Sequence, residues 1–182
     1  MIIGIVILVL LVLIVIYVIG IYNSLITLRE YVLNAKSQIA TQLESRWDAV
    51  KTLMDGTSKY SDYEGKVLQD IVDARSSIGK DISIKDMEKD DQQFQSVFNR
   101  LLAVVENYPD LKSSNLYQTT MESVNKYEDK VRHSRMIYND TVTKYNRSIR
   151  LFPKSLIASM FGFNPLDYFE NTESKGQMPS WN

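Results

Sequence analysis

The stretch "IIGIVILVLLVLIVIYVIGIY", residues 2–22, decides what kind of fold this chain has. It is apolar throughout except for two glycines and two tyrosines. At 1.5 Å rise per residue such a helix is about 30 Å long, the thickness of a bilayer's hydrocarbon core. A core helix of a soluble protein keeps a polar face over that length. Tyr17 and Tyr22 lie near the far end, where aromatic rings favour the membrane interface. Residues 1–22 therefore read as a transmembrane anchor. A cleaved signal peptide needs a basic start, a shorter apolar stretch and a small-x-small cleavage site. Nothing basic precedes this run, and Ile19-Gly20-Ile21 is a poor cleavage site, so the segment is expected to be retained. Arg29 and Lys36 flank its C-terminal side, partly offset by Glu30. By the positive-inside rule this predicts a single-pass protein of the cell membrane, N-terminus outside and residues 23–182 in the cytoplasm.

Beyond the anchor the pattern changes but the helix need not. Leu25, Leu28, Val32, Ala35, Ile39, Leu43, Trp47, Val50 and Met54 recur at steps of three and four, the stripe of an amphipathic helix. No proline or glycine separates this stripe from the anchor, so one continuous helix to about residue 54 is expected. "DGTSKYSDYEG" (55–65) reads as a break. A second helical pattern runs through Tyr63, Val67, Leu68, Ile71, Val72, Ala74 and Ile78, followed by a loop with a short extended piece over 79–86. A third pattern runs from Met87 through Phe94, Val97, Phe98, Leu101, Leu102, Val104 and Val105 to Tyr108, where Pro109 stops it. A fourth helix, capped by Ser113 or Ser114, meets no breaker until Pro153. The predicted fold is all-α: the anchor, then an antiparallel four-helix bundle of long helices over 23–152, then a short aromatic helix and an irregular tail over 153–182.

The fourth helix repeats itself. Tyr138-Asn139 returns as Tyr145-Asn146 at a coiled-coil interval of seven, and a further copy, Tyr22-Asn23, ends the anchor. Val124, Val131, Tyr138, Tyr145 and Phe152 form one row, and Val142, Ile149 and Leu156 a second. Glu128 and Arg135 extend the second row and are placed to pair across the bundle. Each tyrosine brings a large apolar ring and a hydroxyl that needs a partner, and each asparagine brings amide donors and acceptors. Two readings stand for the repeat. It sets the register of neighbouring helices, or it presents a polar contact surface to another subunit. Further on, Phe161, Phe163, Leu166, Tyr168 and Phe169 form an aromatic hook on a segment without helical period. Such a cluster must be covered, by the bundle, by a partner or by lipid.

Composition excludes most chemistry. With no cysteine and a single histidine, His133, there is no thiolate nucleophile and no ordinary zinc or iron site. The Glu-x-x-His pairs of di-iron bundles are absent: Lys130 stands three residues before His133. "GKDIS" (79–83) lacks the upstream glycine of a phosphate loop. Acidic neighbours such as Asp90-Asp91 and Glu128-Asp129 read as solvated helix faces. A net charge of −1 with interspersed signs argues against nucleic acid. No catalytic residue, cofactor or metal is expected.

Several stretches in order carry a resemblance: "YNSLITLREYVLNAKSQIATQLESRWD" (22–48), "YEGKVLQDIVDAR" (63–75), "NYPDLK" (107–112), Glu128 and Arg135 leading into "YNDTVTKYN" and Phe152-Pro153, and "FGFNPLDYFE" (161–170). Together they resemble the LemA family of bacterial membrane-anchored helical proteins. That family usually carries a proline soon after the arginine matching Arg46, where this chain reads "WDAVKTL". The resemblance implies a single N-terminal span, an antiparallel four-helix bundle and no enzymatic activity. It also implies a link, for some members, to membrane-compartment formation in magnetosome-making bacteria or to envelope homeostasis. The expected protein is a self-associating scaffold on the lipid bilayer. The alternative is an adaptor or regulatory subunit of another membrane protein, such as a protease or sensor.

Overall fold

A computed structural model describes residues 2–57, 69–70, 72–73, 75–76, 78 and 82–170. Among these residues every regular element is helical. In chain order they are α1 (Ile2–Thr57), α2 (Ile84–Glu106), α3 (Pro109–Lys112), α4 (Asn115–Arg150) and α5 (Lys154–Met160). Residues 69, 70, 72, 73, 75 and 76 are also helical. Residues 55–57, expected to open the break, continue α1 instead; the rest of that break, most of the second helical pattern and the tail beyond 170 lie outside the described residues.

The helix ends follow from local chemistry. α1 is one helix of 56 residues, as the absence of proline allows. α2 begins at Ile84, earlier than the apolar pattern alone predicts. Ser83 is the reason: its Oγ accepts the Asp86 N–H at 3.1 Å, an N-cap, and donates to the Asp86 carboxylate at 2.6 Å. Residues 84–86, expected in a loop, are thus helical. α2 ends before Pro109, which opens α3 instead. Ser114 caps α4 through the Tyr117 N–H at 3.2 Å, and α4 runs for 36 residues. A turn containing the cis Phe152–Pro153 bond leads into α5. Gly162, at φ +72°, closes α5: the Phe163 N–H reaches the Ala158 carbonyl at 2.9 Å and the Phe161 N–H the Ile157 carbonyl at 3.1 Å. This is a Schellman end, and the left-handed residue it needs is the glycine.

The chain divides into two compact units. The first joins Met1–Ala35 with Ile137–Tyr168. Its core is built from Ile21, Leu25, Val32 and Ala35 of α1, Tyr138, Val142, Tyr145 and Ile149 of α4, and Ile157 and Ala158 of α5. Residues 2–20 of α1 have no such cover. All are exposed except Val18, which is half-buried. This is the one helix among the described residues long and apolar enough to cross a membrane.

The second unit joins Lys36–Met136 with Phe169–Asn182. Ile39, Leu43, Trp47, Val50 and Leu53 of α1 are buried with Met87, Phe94, Val97, Leu101 and Val105 of α2 and Val124 and Val131 of α4. Each such side chain removed from water contributes about 1.5–3 kcal/mol before chain entropy is counted. Trp47 meets Phe94 edge-on at 4.9 Å, and Phe94 stacks on Phe98 at 5.4 Å.

Candidate interaction surfaces

In the first unit the Tyr-Asn repeat finds its partners on the C-terminal segment. The Tyr138 hydroxyl donates to the Asp167 carbonyl at 2.8 Å, and the Tyr145 hydroxyl to the Asn164 carbonyl at 3.0 Å. Asn146, buried, does more. Its Nδ2 donates to the Leu166 carbonyl at 2.8 Å and its Oδ1 accepts the Leu166 N–H at 2.9 Å. One side chain thereby replaces a strand partner for an extended residue that has none. Burial pushes the Tyr145 hydroxyl above the ordinary tyrosine range and keeps it a donor. The polar atoms of Tyr138, Tyr145 and Asn146 bond to residues 164–167, a segment that supplies main-chain groups no helix satisfies. Asn139 is half-buried.

The hook residues separate. Phe161 and Phe163 both meet the Tyr22 ring edge-on, at 4.9 and 5.7 Å. Leu166 is held through its backbone, and Tyr168 lies exposed with its hydroxyl 3.5 Å from Thr143 Oγ1. In the second unit Phe169 is buried, with the Arg135 guanidinium 4.5 Å from its ring centre, and the Glu170 N–H donates to Glu88 at 2.7 Å. Asn23, the third asparagine of the repeat, is exposed, and its carbonyl accepts the Thr27 hydroxyl.

The second unit holds a buried charge network that sequence reasoning did not assemble. Arg46, 1% exposed, donates from Nη1 to Glu128 at 2.8 Å and from Nη2 to Asp90 at 2.8 Å and Asp91 at 3.1 Å. Its guanidinium lies 4.0 Å from the Phe94 ring centre. The Trp47 indole N–H donates to the other Asp90 oxygen at 2.8 Å. Arg135 pairs with the far oxygen of Asp91. Three helices, α1, α2 and α4, are thus tied by two arginines and three carboxylates. Burial pushes the Asp90 carboxyl above the ordinary carboxylate range, against the bonds from Trp47 and Arg46 that pull it down.

The expectation that Asp90-Asp91 is a solvated pair is overturned: Asp90 is buried and Asp91 is mostly so. The signal was positional. Asp90 sits between Met87 and Phe94 at steps of three and four, on the apolar stripe, and Arg46 sits between Leu43 and Val50 in the same way. A charge on such a stripe requires a buried partner. Of Glu128-Asp129, Glu128 joins the network while Asp129 is exposed. His133 is exposed.

Residues 35–181 match the LemA family. The chain is 32% identical over 106 residues to magnetosome protein MamQ 2 of Paramagnetospirillum magneticum, covering 58% of this chain and 35% of that protein. It is 33% identical over 79 residues to magnetosome protein MamQ of Magnetospirillum gryphiswaldense, covering 43% of this chain and 29% of that protein. It is 26% identical over 156 residues to protein LemA of Metamycoplasma hominis, covering 85% of this chain and 71% of that protein. The matched part therefore spans about a third of the length of the magnetosome relatives.

Proposed function

The chain belongs to the LemA family, and we propose that it is a non-enzymatic helical scaffold, held in the membrane by residues 2–22, that associates with copies of itself. The observation that carries this reading is the contrast within α1: the uncovered apolar run over 2–20 continues, without a break in the helix, into a stripe that is buried. The first part needs lipid, and the second anchors a packed domain. The ordered polar side chains support the same reading, because they are spent on holding helices and the C-terminal segment together. The helical residues 69, 70, 72, 73, 75 and 76 and the buried Ile78 support a fourth member of an antiparallel bundle. Arg29 and Lys36 support a cytoplasmic domain with the N-terminus outside. Two of the relatives are magnetosome proteins, which supports our reading of a role in membrane organisation or envelope homeostasis.

Self-association is favoured by an anchor that confines copies to two dimensions and raises their effective concentration. Native size in mild detergent tests it, together with crosslinking in intact membranes. Species larger than the protomer and self-crosslinks are expected. A monodisperse monomer rejects the scaffold, and one abundant foreign crosslinked protein favours the adaptor alternative.

A further inference from the structure

We propose that α5 and the turn before it form a second, interfacial membrane contact beside the anchor, with the lipid bilayer as the occupant of their exposed apolar face. The inference rests on the reading of residues 2–22 as a membrane span.

Five large apolar side chains stand in solvent within eleven residues: Leu151, Phe152 (79% exposed), Leu156, Met160 (75%) and Phe161. Ile157 and Ala158 are buried, so Leu156 and Met160, four residues apart, form the free face of an element docked by its other side, while Phe161, one turn beyond Ile157, stays about half open where it meets α1. That docking is well fixed, since Gly162 closes the helix and the seam residues Tyr145 and Asn146 hold the chain after it. A patch of this size on a fixed element marks a contact surface.

What covers it follows from where α5 meets α1. The Phe161 ring lies 4.9 Å from Tyr22, the last residue of the apolar run, and Lys154 Nζ lies 3.1 Å from Ser24 Oγ, two residues further. Two residues of helix are about 3 Å of rise. The headgroup zone on each side of a bilayer is about 5–8 Å deep. When the span occupies the hydrocarbon core, these two contacts therefore place the flank of α5 at headgroup level. Interfacial helices bury their apolar face at this depth. The rings of Tyr22, Phe161 and Phe152 are of the kind found in the aromatic belt. Charge agrees. Between Asp140 and Asp167 every charged side chain is basic: Lys144, Arg147, Arg150 and Lys154. Basic groups beside an apolar face attract anionic headgroups.

The test uses the full chain, which has no cysteine of its own. Single-cysteine variants Phe152→Cys and Met160→Cys carry an environment-sensitive fluorophore, with Leu10→Cys as the anchor reference and His133→Cys as the aqueous reference. Each is reconstituted into phosphatidylcholine vesicles with a minority of phosphatidylglycerol. All four substituted side chains are exposed, and far-UV circular dichroism checks each variant's fold. The labels at 152 and 160 are expected to be quenched by spin-labelled lipid and several-fold less by aqueous iodide than the label at 133. If they behave like the label at 133 while the label at 10 is quenched by lipid, the interfacial contact falls and the anchor stands. If the label at 10 escapes lipid quenching, both fall. Shielding from iodide without lipid quenching means that protein covers the face, which also overturns the proposal.

Discussion

The two units hold themselves together with different chemistry, although α4 contributes to both. In the first unit Tyr138, Tyr145 and Asn146 offer neutral groups to neutral main-chain atoms of residues 164–167. In the second, Arg46 and Arg135 meet Asp90, Asp91 and Glu128. A neutral hydrogen bond contributes about 0.5–1.5 kcal/mol and is cheap to desolvate. A buried ion pair carries a desolvation cost comparable with its attraction, so its net worth is small while losing one partner is expensive. The neutral seam should yield in small, local steps. The charged one should hold until a single partner is removed and then weaken the whole unit.

Arg46→Met is the strongest way to break that contrast. It removes the guanidinium from three carboxylates, leaving buried Asp90 with the Trp47 N–H alone and Asp91 with Arg135, and should destabilise the second unit by about 3–5 kcal/mol. With Trp181 replaced by Phe, Trp47 becomes the sole indole, and its fluorescence reports denaturant unfolding of the full chain in detergent. A loss below about 1 kcal/mol, the worth of a surface pair, would mean that the network is effectively solvated. Arg46→Lys should recover little, because one ammonium cannot span partners approached through separate guanidinium nitrogens.

Asp90→Asn should cost about 1.5–3 kcal/mol, the range for a hydrogen bond to a charged group, and it adds a pH test. Burial holds the native carboxyl above its ordinary range. The protonated form is therefore the one favoured by folding. Asp90's contribution is complete below the ordinary carboxylate pKa and declines as pH rises through the raised value in the fold. Asparagine does not titrate. The stability gap between the native chain and Asp90→Asn should accordingly narrow from acidic toward neutral pH. A widening gap would show that the ion pair, and not burial, governs this group.

The same contrast explains what could be read from the residues alone. The uncovered apolar run over 2–20 was legible because its composition has no polar face to interpret. The stripes of α1, α2 and α4 were legible because burial imposes a period of three and four. Ser114 and Pro109 were legible because capping and helix termination are local. The charged seam was not, because Asp90-Asp91 resembles ordinary solvation by composition. Only its place between Met87 and Phe94 betrays it. The neutral seam was half legible. The seven-residue spacing announced a seam, but its partner is an extended segment whose main-chain atoms carry no side-chain signature. Helix register was therefore the natural expectation, and the bonds to residues 164–167 had no signal of their own.

Asn146→Leu sharpens the neutral side. It removes the partner of both the N–H and the carbonyl of Leu166, a cost of about 1–3 kcal/mol confined to the docked segment. Amide exchange at Leu166 should accelerate roughly tenfold or more, and proteolysis near residues 160–170 should speed up. The Trp47 transition should barely move. A large shift in that transition would show the two seams to be energetically coupled.

Tyr138→Phe is the finest cut. The ring stays buried and only the hydroxyl is lost, leaving the Asp167 carbonyl to find water at an exposed residue. The cost should fall at or below the lower end of about 0.5–1.5 kcal/mol, since an acceptor that regains solvent does not pay full desolvation. Amide exchange along 164–168 should quicken by a few-fold at most, well short of Asn146→Leu. The ordering of the two variants follows from accessibility alone. Asn146 is buried and bonds both polar groups of one residue, whereas the Tyr138 hydroxyl donates to the carbonyl of an exposed residue. Equal effects would mean that the segment docks as one cooperative block, and the neutral seam would then behave like the charged one.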